Sequence, residues 1–570
     1  MANDTLHGSS GMRARALAAT ASALTVLGAP AAFAFEIETG TSGLKVNWDT
    51  TVKYDLAYRT RSPSPDLIDR PPATINQDDG DRNLRAGPIS NRVDLFSEVD
   101  VVYRNVGARV SGAAWYDDVY MRRNDNGSPA TANPLSVPYN EFTHATQQVH
   151  GRAAEILDAF AFGHATLGDV EASLRAGQHA ILWGESLFFG NNGIAGAQAP
   201  VDIVKLLSVP NSQFKEIILP TQQVSGQLRF GANVSVAAFY QYRWRKSRLP
   251  ASGSFFSNTD LLDAGGERLL AGAPLVPGGG PAAFFRDPDQ SARDSGEGGI
   301  ALRWRVGDVD LGVYAVRWHA KTPQLYLVPA LASSSGGPPI VVDPAHFNPR
   351  RGQIGSYRLV FPEDIRTFGA SASTSIGDVN VAGEVSVRRH TPLVSDTQVV
   401  APGVAADNAG HPLYAIGNSV HVQASVLWTI APNAIAKSAT LLAEVAANGR
   451  SSVTHNASAL DPNTDRAAVS TRVVYEPIYR QAWPGIDLSV PVGGSYTAGK
   501  SSVISAFGVD HGGDLNIGLT AKYLNRYHAS LGYTHYYGTI KPAVDAAGHF
   551  TFGQSLGDRD FVALSVRTTF

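Results

Sequence analysis

Leu44-Lys45-Val46-Asn47-Trp48-Asp49-Thr50-Thr51-Val52-Lys53-Tyr54-Asp55-Leu56-Ala57-Tyr58-Arg59 alternates with a period of two. Successive strand side chains point to opposite faces. Leu44, Val46, Trp48, Thr50, Val52, Tyr54, Leu56 and Tyr58 therefore share one face. Lys45, Asn47, Asp49, Thr51, Lys53, Asp55 and Arg59 share the other. The stretch outruns a soluble strand of about five or six residues and exceeds the roughly nine to eleven that cross a bilayer. It predicts a membrane strand with an apolar outer face and a charged inner one.

The same alternation closes the chain. In Phe561-Val562-Ala563-Leu564-Ser565-Val566-Arg567-Thr568-Thr569-Phe570, Val562, Leu564, Val566, Thr568 and Phe570 lie on one face and Ser565, Arg567 and Thr569 on the other. Taken alone, this segment also suits the terminal strand of a soluble sandwich. With a transmembrane first strand it reads as the closing strand of a barrel, and Phe570 as an interfacial anchor and the signal read by the barrel-assembly machinery.

Between these ends the pattern recurs as hairpins. Val93 to Tyr103 turns at Arg104-Asn105-Val106-Gly107 into Ala108 to Tyr120, and Val224 to Phe230 turns at Gly231-Ala232-Asn233 into Val234 to Lys246. Ile300 to Val306 turns at Gly307-Asp308-Val309, Ile365 to Ser375 at Gly377-Asp378, Val420 to Ile430 at Pro432-Asn433, and Leu515 to Tyr523 at Asn525-Arg526. These are hairpin turn residues. Long polar segments rich in Gly, Pro, Ser, Asn and Asp separate the hairpins, at 60–90, 121–151, 183–221, 247–298, 320–363, 391–417, 450–467, 494–512 and 538–558. Short turns alternating with long loops predict a transmembrane antiparallel β-barrel with turns in the periplasm and loops outside. About 18 strands are expected, or 16 if the weakest, Ala468 to Tyr475 and Gly485 to Val492, are not strands. Trp48, Tyr58, Tyr103, Trp244, Trp304, Trp318, Trp428, Tyr523 and Tyr537 fall near strand ends, where an interfacial aromatic girdle belongs.

Residues 1–34 read as a signal peptide. Met12-Arg13-Ala14-Arg15 is basic, Ala16 to Ala29 is a short uncharged apolar run, and Ala32-Phe33-Ala34 is a small-x-small cleavage site. Met12 offers an alternative start, and the mature barrel is expected to occupy 35–570. Losing Asp4, Arg13 and Arg15, which together carry +1, moves the formal charge from −3 to −4. This near-neutral balance argues against nucleic acid as a partner. The chain has no Cys, which excludes a lipid-anchored Cys, a thiol nucleophile and a disulfide scaffold. Beyond residue 34 no apolar run reaches the length of a membrane helix.

Several segments resemble a family of Gram-negative outer-membrane proteins of unknown function. They are Asn91 to Leu95, Ser111 to Tyr120, the Arg-Ala-Gly-Gln-His-Ala-Ile-Leu-Trp-Gly-Glu-Ser run from Arg175 to Ser186, Ala199 to Asp202 and Ser208 to Glu216. The resemblance implies an outer-membrane barrel. It also implies association with the use of hydrophobic or steroid-like carbon sources, beside an efflux-type inner-membrane protein and a lipid-carrier-like periplasmic partner. It supplies no catalytic residue.

The segment 183–222 is too apolar and Gly-rich for a solvated loop, and is expected to fold into the lumen and narrow it. Trp183, Glu185, Phe188, Phe189, Asn191 and Asn192 are the candidate constriction residues, and an apolar loop packed on the barrel rim is the alternative. Alternation predicts lumen-facing ionisable groups at Lys45, Asp49, Lys53, Asp94, Glu98, Asp100, Arg109, Asp117, Arg243, Arg245, Glu384 and Arg388. Their mixed signs suit lumen salt bridges. Asp78-Asp79-Gly80-Asp81-Arg82-Asn83 resembles a calcium loop without its terminal Glu, and reads as a solvated acidic loop with weak calcium binding as the lesser option. No Gly-x-Ser-x-Gly or His-Glu-x-x-His motif is present. The expectation is a non-enzymatic channel, with no cofactor or metal, for a hydrophobic or amphipathic small molecule. A structural or adhesive barrel is the first alternative and a lipid-active enzyme the second. Outer-membrane lipid, the solute and a periplasmic carrier are the expected partners.

Overall fold

The computed structural model of the protein describes residues 35–37, 40–209, 213–334 and 337–570. The signal segment 1–34 lies outside the described residues, as do Pro210, Asn211 and Ser212 of the last family-like segment.

Eighteen antiparallel strands close into a barrel. In chain order they run from Leu44–Arg59, Gly87–Tyr103 and Val106–Asp117 to Gly513–Tyr523, Tyr527–Tyr537 and Phe561–Thr569. Each pairs with its sequence neighbours, and the last pairs with the first from Thr51↔Thr569 to Arg59↔Phe561. The fifteenth strand is Ile486–Ser489 continued by Val492–Ala498, interrupted at Val490-Pro491. Both parts pair with Ala467–Trp483 on one side and Gly513–Tyr523 on the other. The two weak segments are thus real strands, and the number is 18 rather than 16. The strand expected from Val93 begins at Gly87, which shortens the loop before it. A short strand, Phe35–Ile37, adds antiparallel to Val46–Trp48.

The wall inverts the soluble pattern. Val385, Val387, Val420, Val422 and Val445 are exposed, whereas Glu384, Ser386, Arg388, His421, Gln423, Glu444 and Asn448 between them are buried. Apolar residues therefore face outward and polar ones face the lumen, as lipid outside and a protein-lined interior require. Trp48, Tyr58, Tyr103, Trp428 and Tyr523 are exposed on the outer surface. Two of the expected girdle residues are not. Trp318 is buried in the lumen, its Nε1 donating to Thr367 Oγ1 at 2.9 Å. Trp244 falls beyond the end of its strand at Arg243 and packs edge-on against Phe361.

At one end the strands join through short turns such as Arg104-Asn105 and Gly377-Asp378. At the other, long loops build a canopy. Arg268–Gly272, Ala282–Arg286, Gln324–Pro329, Gln353–Val360 and Gln398–Val399 form a separate five-stranded mixed sheet drawn from three loops. The loop after the first strand joins this canopy, and its acidic run is not solvated. Asp78, Asp79 and Asp81 are fully buried. Asp81 bridges Arg59 at 2.9 Å and Arg559 at 2.9 Å, and Arg59 also meets Asp558 at 3.1 Å. Two guanidiniums at the ends of the first and last strands thus require two carboxylates from the loops. The expected solvated acidic loop is corrected to a buried ionic cluster, because two of its counter-charges, Arg59 and Arg559, come from the ends of the first and last strands, which meet only on closure.

Closure also uses the chain end. Phe570 N donates to Thr50 O at 2.8 Å, Thr50 N donates to Phe570 O at 3.1 Å, and the Arg526 guanidinium lies over the Phe570 ring. Deleting Phe570 removes both hydrogen bonds and the ring, worth about 1 kcal/mol per bond before any effect on assembly. The expected outcome is a lower yield of heat-modifiable, folded barrel in membranes. Wild-type yield of the truncated chain would contradict this.

Candidate functional site

The segment following Val170–His179 leaves the wall and runs across the lumen. Its amides abandon the sheet ladder, and an unpaired buried N–H costs about 1–3 kcal/mol. Two wall carboxylates supply acceptors. Glu384 accepts from Glu185 N at 2.8 Å and Ile194 N at 2.9 Å. Glu444 accepts from Leu187 N at 3.1 Å, Phe188 N at 2.5 Å, Phe189 N at 2.9 Å and Ser186 Oγ at 3.3 Å. Arg388 supplies the complementary donor. Its Nη2 contacts three successive carbonyls, Asn191 O at 2.7 Å and Asn192 O and Gly193 O at 3.0 Å each.

Asn192 completes the latch. Its Nδ2 reaches Gln423 Oε1 at 3.2 Å and Ala447 O at 3.3 Å, and its Oδ1 lies 3.1 Å from both Asn448 Nδ2 and His421 Nδ1. Close approach demands glycine at two places. A Cβ on Gly193 would sit 2.1 Å from Glu384 Oε1, and one on Gly184, where φ is +92°, would sit 2.4 Å from Glu384 Oε2. The bend at Gly184 is also one that L side chains rarely adopt.

An apolar patch of the wall receives the loop. Trp183 and Ile194 are buried against Phe239, Ala301, Tyr314, Val316, Trp318 and Ile365. Trp183 meets Phe239 edge-on at 5.1 Å, consistent with a favourable aromatic pair. Gly369 leaves room for Ile194, and Gly299 for Trp183. Phe188 lies under the Arg472 guanidinium at 5.7 Å, and Phe189 packs near Phe507. The segment then turns back through the short helices Ile203–Ser208 and Phe214–Ile217. Asp202 caps the first by accepting from Lys205 N.

Of the six loop residues singled out in the sequence, Trp183 and Asn192 are buried as anchors. Glu185, Phe188, Phe189 and Asn191 are partly exposed or exposed. The lumen charges form mixed-sign pairs. Lys53 meets Asp55 at 2.6 Å and Asp94 at 3.9 Å, and Arg92 also holds Asp94. Asp49 stands opposite Glu98 in the strand register. That like-charge pair is offset by Arg109, 3.5 Å from Glu98 and 2.7 Å from Asp100. Arg245 pairs with Glu155 at 3.6 Å. Asp117 accepts from Ser90 Oγ and from the amides of Asn91 and Val119, bracing a strand end. Lys45 and Arg243 are exposed and make no ion pair among the described residues.

Sequence reasoning missed Glu444, Gln423, His421 and Asn448. A signal existed for Glu444, a lone carboxylate within Leu441-Leu442-Ala443-Glu444-Val445, but nothing local links it to residues 186–189.

Below the loop, toward the short turns, a lumen cavity of about 510 Å³ remains. Glu185, Leu187, Arg305, Asp310, Asn380 and Leu427 contribute to its lining, which mixes charge, amide and aliphatic carbon.

Glu444→Ala would leave three loop amides and a hydroxyl without acceptors, a loss of about 3 kcal/mol or more that frees residues 186–189 from the wall. In planar bilayers the variant is expected to show larger and noisier conductance than wild type. Glu444→Gln, which keeps an acceptor oxygen, should fall between them. Identical conductance in all three would mean that the latch does not set the opening.

Solved structures of similar form include OccAB4 of Acinetobacter baumannii, with 10% identity over 92% of this chain and 98% of that one, at a TM-score of 0.41. They also include the outer membrane protein opdK of Pseudomonas aeruginosa, with 10% identity over 92% and 98% at a TM-score of 0.39. A third is OmpF of Salmonella typhi in complex with daunomycin, with 8% identity over 94% and 100% at a TM-score of 0.35. No curated protein matches the sequence. The model of a family described as a protein of unknown function, DUF1302, matches residues 12–570 of the sequence, so the chain belongs to that family.

Proposed function

We propose that the protein is an outer-membrane channel for the passive uptake of a small amphipathic or hydrophobic molecule. The observation that carries this reading is the loop latched across the lumen above the cavity of about 510 Å³. An 18-strand barrel is wider than its wall side chains can fill. A structural barrel has no need of an inserted loop latched to the wall by Glu384, Glu444, Arg388 and the partners of Asn192. Leu187 and Leu427 beside Arg305, Asp310 and Asn380 suit a solute with both an apolar body and a polar group. The family resemblance favours an apolar nutrient, and a periplasmic carrier would receive it.

The enzyme reading finds little support. Ser419 Oγ lies 2.9 Å from His421 Nε2, and His421 Nδ1 contacts Asn192, a spacing reminiscent of a catalytic triad. Ser419 and His421 are buried beneath the latched loop, and Asn192 is the loop residue that covers them, so the hydroxyl has no space for a substrate. The group serves as an anchor.

With the long loops outside the cell, single Cys substitutions at Ala130 or Ser333, both exposed, should react with an impermeant maleimide on intact cells. Asn105 and Asp308 in the short turns should not. The reverse pattern would invert the topology. Asn126 is unsuitable as a reporter, being buried against Asp79 and Asn83.

A deletion strain should lose uptake of at least one member of a panel of steroids, fatty acids and aromatic acids. Wild-type protein should restore it, and a chain lacking residues 187–196 should restore it with altered selectivity. Unchanged uptake of every solute would favour the structural reading.

A further inference from the structure

The buried carboxylates of the canopy do not all have counter-charges. Arg59 and Arg559 are matched by Asp81 and Asp558. Three more carboxylates, Asp78, Asp79 and Asp260, converge beside that cluster, each at most 2% exposed. One carboxylate oxygen from each lies within 4.8 Å of the other two. Arg82 Nε pairs with Asp78 Oδ2 at 2.5 Å and cancels one charge. Arg268 faces Asp79 but has Glu267 beside it, and Arg559 faces Asp260 while engaged by Asp81. Two negative charges are left over in a water-excluded site, where an uncompensated ion costs several kcal/mol.

Their hydrogen bonds are incomplete as well. Asp79 accepts from Asn126 Nδ2 at 3.1 Å and Asn133 N at 3.0 Å. Asp260 Oδ2 accepts only a long bond, 3.3 Å, from Asp79 N. Asp260 Oδ1 is buried and has no hydrogen-bond partner among the described residues. Against Asp79 and Asp260 lies a cavity of about 10 Å³, also lined by Asn83, Asn133, Thr143 and Ser252. That is room for a single water-sized occupant.

We infer that Asp78, Asp79 and Asp260 bind one calcium ion, which joins the loop after the first strand to the loop that carries Asp260. Oxygens on opposite sides of a calcium ion are about 4.8 Å apart, given bonds of about 2.4 Å, so all three carboxylate oxygens fit one coordination sphere. An all-oxygen donor set with no His or Cys selects a hard cation. Calcium tolerates irregular geometry and gives up its waters more readily than magnesium. A dication cancels the two residual charges and gives Asp260 Oδ1 a partner. The ion would be drawn from the medium on the canopy side and would hold the mouth of the barrel in its closed-over shape.

The competing occupant is a proton. Burial and the neighbouring Asp79 push the Asp78 carboxyl up to about 7, burial pushes Asp79 up to about 6, and burial with Asp79 and Asp78 raises Asp260. Without a metal the folded chain would hold protons that the unfolded chain has released. Stability would then fall as pH rises from about 4 to 7, whatever the calcium level. With calcium bound the carboxylates are ionised, so affinity should rise over the same interval.

The test is equilibrium dialysis of radioactive calcium against the detergent-purified full chain, stripped with chelator, at pH 7.5. One ion per chain is expected. Binding should weaken at least tenfold in Asp260→Asn and Asp79→Asn, and by a similar factor for wild type at pH 5. Asp66→Asn, on the exposed part of the same loop, should bind as wild type. Heat modifiability on gels reports whether each variant barrel is folded. Should both site variants fail to fold, protection of the wild-type canopy loops from protease by calcium, with loss of protection in chelator, is the expected second readout. Absence of saturable binding to wild type, retention of the ion by Asp260→Asn, or stability that rises on acidification without a calcium effect would each overturn the assignment.

Discussion

Every backbone amide buried in the wall or the lumen needs an acceptor that water does not supply, and that constraint organises the structure. In the wall it is met by pairing each strand with two neighbours, which is possible for all of them only if the sheet closes. The register Thr51↔Thr569 and the exchange between Thr50 and Phe570 complete the circle. Closure then fixes which residues face inward, because side chains alternate strictly across the sheet. Glu384, Glu444 and Arg388 reach the lumen only because of that phase.

The inserted loop meets the same constraint with different means. It cannot pair as a strand, so its amides turn to carboxylates and its carbonyls to a guanidinium. Charged partners make stronger hydrogen bonds than neutral ones, roughly 1.5–3 kcal/mol each, and one carboxylate serves several amides at once. Glu444 takes up the amides of Leu187, Phe188 and Phe189. The loop thus acquires a defined path across a wide lumen.

The barrel was legible in the sequence wherever alternation was strict. Leu44–Arg59 shows this best, and the 18-strand count followed from short turns between long loops. The inserted segment was legible as too apolar for water. Its anchors were not, since Glu384 and Glu444 look like any lumen charge until residues 183–194 lie against them. Exceptions to the alternation carried information of their own. Tyr314, Val316 and Trp318 lie on the inner face of Val309–Trp318, where polar residues would be expected, and all three are buried in the patch that receives Trp183 and Ile194. Read as a girdle residue, Trp318 was misplaced. Read with its neighbours two and four positions earlier, it marks where the wall is covered by protein rather than water.

The acidic run Asp78–Asn83 failed for the opposite reason. Local composition gave it to solvent, yet closure brings Arg59 and Arg559 side by side, and two adjacent buried guanidiniums repel. Asp81 lies between them, and although burial raises its pKa, Arg559 and Arg59 hold its carboxyl below the ordinary value. Breaking one member of such a group costs about 3–5 kcal/mol, because its partners remain buried and charged. The loop after the first strand is therefore pinned where the barrel closes, since Asp81 reaches both guanidiniums beside the Arg59↔Phe561 pair. The ion cluster ties the canopy to the closing strands at the long-loop end. The latched loop is its hydrogen-bonding counterpart inside the lumen. Between them they leave open the lower lumen, where Glu185 and Leu187 line the remaining cavity.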